Sequence, residues 1–190
     1  MPEILNPEQI KSIIESNDEI KFILDTNIIL AYLNHRDQFH LEASTAIDGL
    51  KVKNVYFIIP HIIIGEFIAH RDRIGAKNLS ITGAIKKLDK FLLNTKKFLS
   101  GGQAVNASSI TNYYLKHKKH KNFTKLGFSD FLILCLAEEV NNIRILTCDK
   151  KMYKYGRSVF KKRIYYLPNT SSGMKSDYPR LMADIQRSFK

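Results

Sequence analysis

Apolar and polar positions along the chain form blocks that predict strands and helices in turn. Four short apolar runs rich in β-branched and aromatic residues indicate strands, at 22–24, 55–59, 143–147 and 163–167. Most of the stretches between them carry apolar residues at helical spacing. Because nearly continuous apolar strands separated by helices are typical of parallel sheets covered on both faces, we predict a three-layer α/β/α sandwich around a parallel sheet of about four or five strands.

The helical patterns also indicate how the domain is organised. We interpret the chain as a single domain with an N-terminal helical extension (1–20), a helical, basic insertion (75–127) and a C-terminal tail with a last helix (168–190). Gly65-Glu66-Phe67 is predicted to lead into a helix, and Ser129 to cap a helix that is apolar on all sides. Further helical spacing is found at 37–50, 79–99, 108–116 and 178–189.

Composition narrows the class of protein. A chain of 190 residues, 44% hydrophobic, can bury a sizeable core, and it contains no apolar run long enough to span a bilayer. The first residues show no basic segment followed by an apolar one, so we expect no export, no membrane association and a cytoplasmic location. Cys135 and Cys148 lie in apolar surroundings without a metal-ligand pattern, which favours buried, reduced thiols.

The charge balance points to a polyanionic partner. The 30 Lys and Arg residues exceed the 18 Asp and Glu residues, which gives a net charge of +12 and a pI of about 9.6. Such an excess produces a positive field that attracts nucleic acid. A solvated, lysine-rich surface without a partner would explain the same composition.

Four acidic residues occupy positions that a parallel sheet would bring together. Asp25 and Asp149 follow apolar strands, Glu66 follows the 55–64 run, and Asp130 lies in the first turn of the apolar helix. Because ligands bind at the carboxyl ends of parallel strands, these acids are expected to converge. Taken singly, each has a local explanation, either a helix dipole or an Asx turn.

Such a cluster would require a cation. Close carboxylates repel one another, and Mg²⁺ or Mn²⁺ prefers hard oxygen ligands together with substrate phosphate. A metal bound among four acids suits phosphodiester hydrolysis, because it activates water and neutralises charge on the phosphoryl oxygens.

Four ordered motifs resemble those of the PIN-domain family. They are FILDTNIIL at 22–30, IIIGEF at 62–67, SDFLI at 129–133 followed by Ala137, and ILTCD at 145–149, and the resemblance covers about 23–167. It implies that Asp25, Glu66, Asp130 and Asp149 are the catalytic and metal-binding residues. It further implies that Asn27 and Thr147 hold these carboxylates in place through hydrogen bonds.

The resemblance also implies an activity. We expect an Mg²⁺- or Mn²⁺-dependent endoribonuclease that leaves a 5′-phosphate and a 3′-hydroxyl. The chain is similar to VapC-type toxins of toxin–antitoxin pairs, for which an antitoxin protein could be a partner and a homodimer is expected, but its basic insertion is longer. The alternatives are a non-catalytic RNA-binding or RNA-processing assembly factor and a structure-selective DNA nuclease.

Two basic segments are candidates for RNA binding. In the first, lysines are interleaved with Tyr113, Tyr114 and Phe123, which would allow bases to stack while lysines contact phosphates; a solvated loop is the other interpretation. His117 and His120 in this segment lack the nearby acids of a metal site. The lysines predicted to bind RNA are Lys116, Lys118, Lys119, Lys121, Lys150 and Lys151.

Overall fold

The structure is a computed structural model that describes residues 20–51, 55–74, 79–95, 98–99, 107–121, 123–140, 143–160, 163–168 and 176–188. The predicted helix of the N-terminal extension lies outside these residues, as does most of the tail before the last helix.

A five-stranded parallel sheet forms the centre of the molecule, in the order β3-β2-β1-β4-β5. Strand β1 (Ile20–Leu24) lies between β2 (Val55–Ile58) and β4 (Ile143–Thr147), and β3 (Phe98–Leu99) and β5 (Ile164–Tyr166) form the edges. Every residue of β1 is buried, as expected for a parallel strand covered on both faces. The predicted α/β/α sandwich is therefore confirmed.

Eight α-helices and two 3₁₀ turns surround the sheet in the described residues. One 3₁₀ turn, Arg71–Ile74, follows the third helix, and the other, Phe123–Lys125, precedes the sixth. The helices are α1 (Thr26–Leu33), α2 (His40–Gly49), α3 (His61–Ala69), α4 (Ile81–Thr95), α5 (Ala107–His117), α6 (Phe128–Glu139), α7 (Lys150–Phe160) and α8 (Tyr178–Ser188). No helix among the residues described here is long and apolar enough to cross a bilayer.

Three local predictions were wrong. Glu66 lies inside α3 rather than at a helix start, because the helix already begins after Pro60. The helix predicted to reach residue 99 ends at Thr95, and Phe98–Leu99 pairs with β2 as an edge strand, so the middle region is not wholly helical. The cap of α6 is Gly127, and Ser129 lies within its first turn.

The strand order creates a crevice where the acids are found. The chain builds β2 and β3 on one side of β1 and then crosses to β4 on the other side, so the order reverses between β1 and β4. Ligands of open α/β sheets bind at the carboxyl ends of the strands at such a reversal. The amide of Asp25 donates a hydrogen bond to the Leu146 carbonyl oxygen at 3.0 Å, which extends the β1–β4 pairing to the acid itself.

Candidate active site

Asp25 is the most buried of the four acids, at 1% exposure. It leaves β1 in an extended conformation and precedes the first residue of α1. The Thr147 hydroxyl donates to Asp25 Oδ2 at 2.6 Å, and Asn27 Nδ2 approaches the same oxygen at 3.4 Å. The two residues predicted to hold the carboxylates thus both contact Asp25.

The surroundings of Asp25 disfavour its charged form. Burial, above all, raises the pKa of this carboxyl from 3.8 to about 6, and the neighbouring charges of Glu66 and Asp149 add to the increase. The hydrogen bonds from Thr147 and Asn27 act in the opposite direction on the pKa. The charged form of Asp25 is therefore less favourable than that of an exposed aspartate.

Thr147 connects Asp25 to Asp149. Its hydroxyl donates to Asp25 and accepts a hydrogen bond from the Asp149 backbone amide at 2.8 Å. The Asp149 Oδ1 atom accepts from the backbone amides of Lys151 and Met152 at 2.5 and 2.9 Å, which caps α7. Asp149 therefore has a structural role of its own at the helix N-terminus, beside the predicted catalytic one.

Glu66 contacts the segment that follows Asp25. Its Oε2 atom accepts a hydrogen bond from the Thr26 hydroxyl at 2.5 Å, across 40 residues of sequence. Thr26 was not among the predicted site residues, although its place between Asp25 and Asn27 in the first motif was a usable signal.

Asp130 approaches the other acids from α6. Its Oδ2 atom accepts from the Gly127 backbone amide at 3.1 Å, which fixes the carboxyl at the start of the helix. Burial raises the pKa of Asp130 to about 7, and the charges of Asp25, Asp149 and Glu66 contribute in that order, whereas the Gly127 hydrogen bond lowers it. Asp130 is thus electrostatically coupled to all three other acids.

The four carboxylates interact but do not form a ready ligand set. Across the part of the chain that the structure describes, no three His, Cys, Asp or Glu side chains are grouped closely enough to hold a metal ion. The charges of Asp25, Glu66 and Asp149 nevertheless raise the pKa of Asp130, so the acids lie near enough to influence one another. Since all the donors are carboxylate oxygens, the residues fit Mg²⁺ or Mn²⁺ better than a metal that prefers nitrogen or sulfur.

Arg73 reaches the site from the first 3₁₀ turn. Its Nη1 donates to Asn27 Oδ1 at 2.8 Å, and its Nη2 lies 3.7 Å from Asp37 Oδ2. The amide of Asn27 is therefore oriented with its nitrogen towards Asp25. No motif indicated Arg73, because 46 residues separate it from Asn27 and only the fold brings them together.

The aromatic residues of the basic insertion mostly face the core. Tyr113 is 4% exposed and Phe123 is 9% exposed, and both pack around Phe131 of α6 and Tyr155 of α7. The prediction that these two rings stack on bases was wrong, because they dock the insertion onto the domain. Tyr114, at 49% exposure, is the ring of this group that remains open to solvent.

The lysines and histidines of the insertion have different surroundings. Lys116 forms an ion pair with Glu138 of α6, and Lys116, Lys118, Lys119 and Lys121 are all exposed. His117 Nε2 lies 3.2 Å from Glu138 Oε2, and the His120 ring contacts the Ser158 hydroxyl at 2.9 Å. The two histidines thus have separate partners.

Comparison with known proteins identifies a family and similar solved structures. The family model described as the PIN domain matches residues 22–158, which is more than half of the chain and includes all four acids. Among solved structures, the chain is similar to the crystal structure of VapBC2 from Rickettsia felis bound to a DNA fragment from their promoter. One of its chains is 22% identical, with a TM-score of 0.48, and the match covers 72% of this chain and 92% of that chain. No curated protein matches the sequence.

Proposed function

Because the chain belongs to the PIN-domain family, whose members are in general nucleases, we propose that it is a metal-dependent endoribonuclease. The observation that carries this proposal is Asp25, a buried carboxylate beside three other acids at the crevice between β1 and β4. A protein gains nothing in stability from gathering buried carboxylates, so the arrangement is explained by a cation and the chemistry it serves.

Each residue of the site has a role in this proposal. Asp25, Glu66, Asp130 and Asp149 would hold Mg²⁺ or Mn²⁺, which when bound would neutralise charge on a phosphate and lower the pKa of a water. Thr147 and Asn27 orient the Asp25 carboxylate, and Thr26 orients that of Glu66. A net charge of +12 supports a polyanionic substrate.

The substitution Asp25→Asn tests the catalytic part of the proposal. The Asn carbonyl can still accept the Thr147 hydrogen bond, so we expect a folded protein whose RNA cleavage falls more than about 100-fold, beyond the usual loss for a residue that only supports a ligand. Cleavage of a labelled single-stranded RNA with Mn²⁺ measures this effect, and a flapped DNA competitor distinguishes RNA from structured DNA as substrate.

The matched control is Asp89→Asn, which removes an exposed acid on α4. It should cleave like the unmodified chain. Equal cleavage by the Asp25→Asn variant, at matched purity and with an intact thermal transition, would refute the proposal.

A second candidate function is a non-catalytic RNA-binding or RNA-processing assembly factor. It is favoured by the absence, within the described ranges, of a three-residue metal-holding group and by the capping role of Asp149. Calorimetric titration with Mn²⁺ separates the two candidates. Binding that disappears in the Asp25→Asn variant supports the enzyme, and no binding up to millimolar Mn²⁺ supports the assembly factor.

The wider biological setting stays a prediction from the family resemblance. A toxin role would require an antitoxin protein, and a homodimer is expected on the same basis. The long basic region between Glu66 and Asp130 distinguishes this chain from a compact toxin.

A further inference from the structure

Four lysines line a cavity of about 310 Å³ at the start of α7. Lys150, Lys151 and Lys154 come from α7, and Lys125 comes from the 3₁₀ turn that precedes α6. We call this cavity the lysine pocket. Lys125 and Lys154 belong to the two basic segments indicated by the sequence, but the fold alone brings Lys125 next to α7.

The lysines of the pocket differ in their ion pairing from other lysines of the chain. Among the described residues, none of the four lysines forms an ion pair with a carboxylate, in contrast to Lys116 and Lys51. Three of the four also lie in the first turns of α7, where the helix dipole is positive. The Asp149 carboxylate already caps this end of the helix, but the lysines repel one another, and a bound anion would relieve their repulsion.

Two lysines of the pocket are close in sequence to residues of the acid site. Lys125 is two residues from Gly127, whose backbone amide binds the Asp130 carboxylate. Lys150 directly follows Asp149, the acid whose side chain caps α7. A strand with a phosphate in the pocket would therefore pass next to two of the four acids.

We propose that the lysine pocket binds a backbone phosphate of single-stranded RNA close to the phosphodiester bond at the acid site. The proposal rests on the proposed function for the identity of this ligand. The phosphodiester is the recognised group, and it is shared with single-stranded DNA. Lysine suits this task because it contacts phosphate as a mobile point charge without reading a base.

The test uses two double variants made in the Asp25→Asn background, so that RNA is not cleaved during binding. Lys125→Gln with Lys154→Gln removes two exposed charges of the lysine pocket, and Lys86→Gln with Lys90→Gln removes two exposed charges from α4. Both pairs lower the net charge equally, so the general field of the protein is matched. Fluorescence anisotropy of a labelled 12-nucleotide RNA is measured across a NaCl series, and a DNA of the same sequence is the second arm.

Loss of the phosphate contact should flatten the plot of log affinity against log salt by about 0.7, the value per neutralised phosphate for single strands. At about 0.15 M salt this corresponds to roughly fourfold weaker binding. The α4 variant should keep the parent slope. A change of the same size with DNA would identify the backbone phosphate itself as the ligand.

Equal slopes for the two double variants, or no binding of RNA by the parent, would overturn the proposal. Cleavage by the chain with Asp25 intact is scored separately. A slope change without RNA cleavage would support phosphate binding by the lysine pocket and refute the nuclease. Cleavage without a slope change would support the nuclease and refute phosphate binding by the lysine pocket.

Discussion

Thr147 is the residue on which the geometry of the acid site depends most. Its hydroxyl is fully buried at the end of β4 and bridges the Asp25 carboxylate and the Asp149 backbone amide. The hydroxyl donates a hydrogen bond to the Asp25 carboxylate and accepts one from the Asp149 backbone amide. Its donor and acceptor functions together hold the ends of β1 and β4 close to each other.

Thr147→Val should weaken metal binding while leaving the fold in place. The isosteric side chain fills the same space, but Asp25 loses the hydrogen bond that lowers its pKa, so the charged form is disfavoured further. We expect Mn²⁺ affinity to fall about 10- to 100-fold, measured by calorimetry at pH 7. Thr147→Ser retains the hydroxyl and is the control, and equal Mn²⁺ affinity in the two variants would contradict the assigned role.

At the scale of elements, α5 is held to the domain by aromatic packing. Tyr113 lies between the rings of His117 and Phe131, at centroid distances of 4.4 and 5.5 Å, and its hydroxyl donates to the Tyr155 hydroxyl at 3.2 Å. Burial raises the pKa of Tyr155 to about 12, so this hydrogen bond joins two neutral phenols across the neutral pH range. The insertion is thus continuous with the core through α6 and α7.

Adjacent tyrosines provide a matched test of this packing. Tyr113→Ala should destabilise the protein by about 3–5 kcal/mol, the usual loss for a large buried ring. Tyr114→Ala, which removes the neighbouring exposed ring, should cost less than about 1 kcal/mol. Urea denaturation followed by circular dichroism measures both, and similar losses for the two variants would show that Tyr113 does not dock α5.

At the scale of the whole molecule, the acid site lowers the free energy of unfolding, and a bound cation would raise it again. The pKa of Asp25 is about 6 and that of Asp130 about 7 in the folded state, against 3.8 for both as unperturbed side chains. Between about pH 4 and 7 these two carboxyl groups therefore bind more protons in the folded protein than in the unfolded one, so their contribution to stability falls as the pH rises. For Asp25 alone the shift corresponds to roughly 3 kcal/mol.

Thermal unfolding with a chelator should show this pH dependence. We expect the midpoint to decrease from pH 5 to pH 8, and Mn²⁺ at pH 8 to raise it again because it binds only the folded state. A variant carrying both Asp25→Asn and Asp130→Asn should show a smaller decrease and no response to Mn²⁺. The same pH profile in that variant would mean that other groups cause the loss of stability.

Local pattern was sufficient to predict much of the fold and failed where an element is very short. The strands at 22–24 and 143–147 were indicated by runs of apolar residues. In the structure β1 begins at Ile20 rather than at Phe22, and β4 has the predicted bounds. Strand β3 has two residues, which is too few for any periodicity, and its pairing with β2 alone identifies it. Tyr113 was misassigned because aromatics among lysines occur both in RNA-binding surfaces and in helices that pack one face inward.

The sequence by itself determined which chemical groups follow the strands: Asp25 after β1 and Asp149 after β4 depend only on where an apolar run ends. The tertiary structure alone decided what those groups contact. Thr147 and Asp25 are 122 residues apart, and they meet because the chain crosses the sheet to place β4 beside β1. The fold alone likewise brings Arg73 to Asn27 and places Lys125 next to the lysines of α7. Burial and the distances between charges set the pKa values of the acids, and both are properties of packing that one-dimensional spacing does not contain.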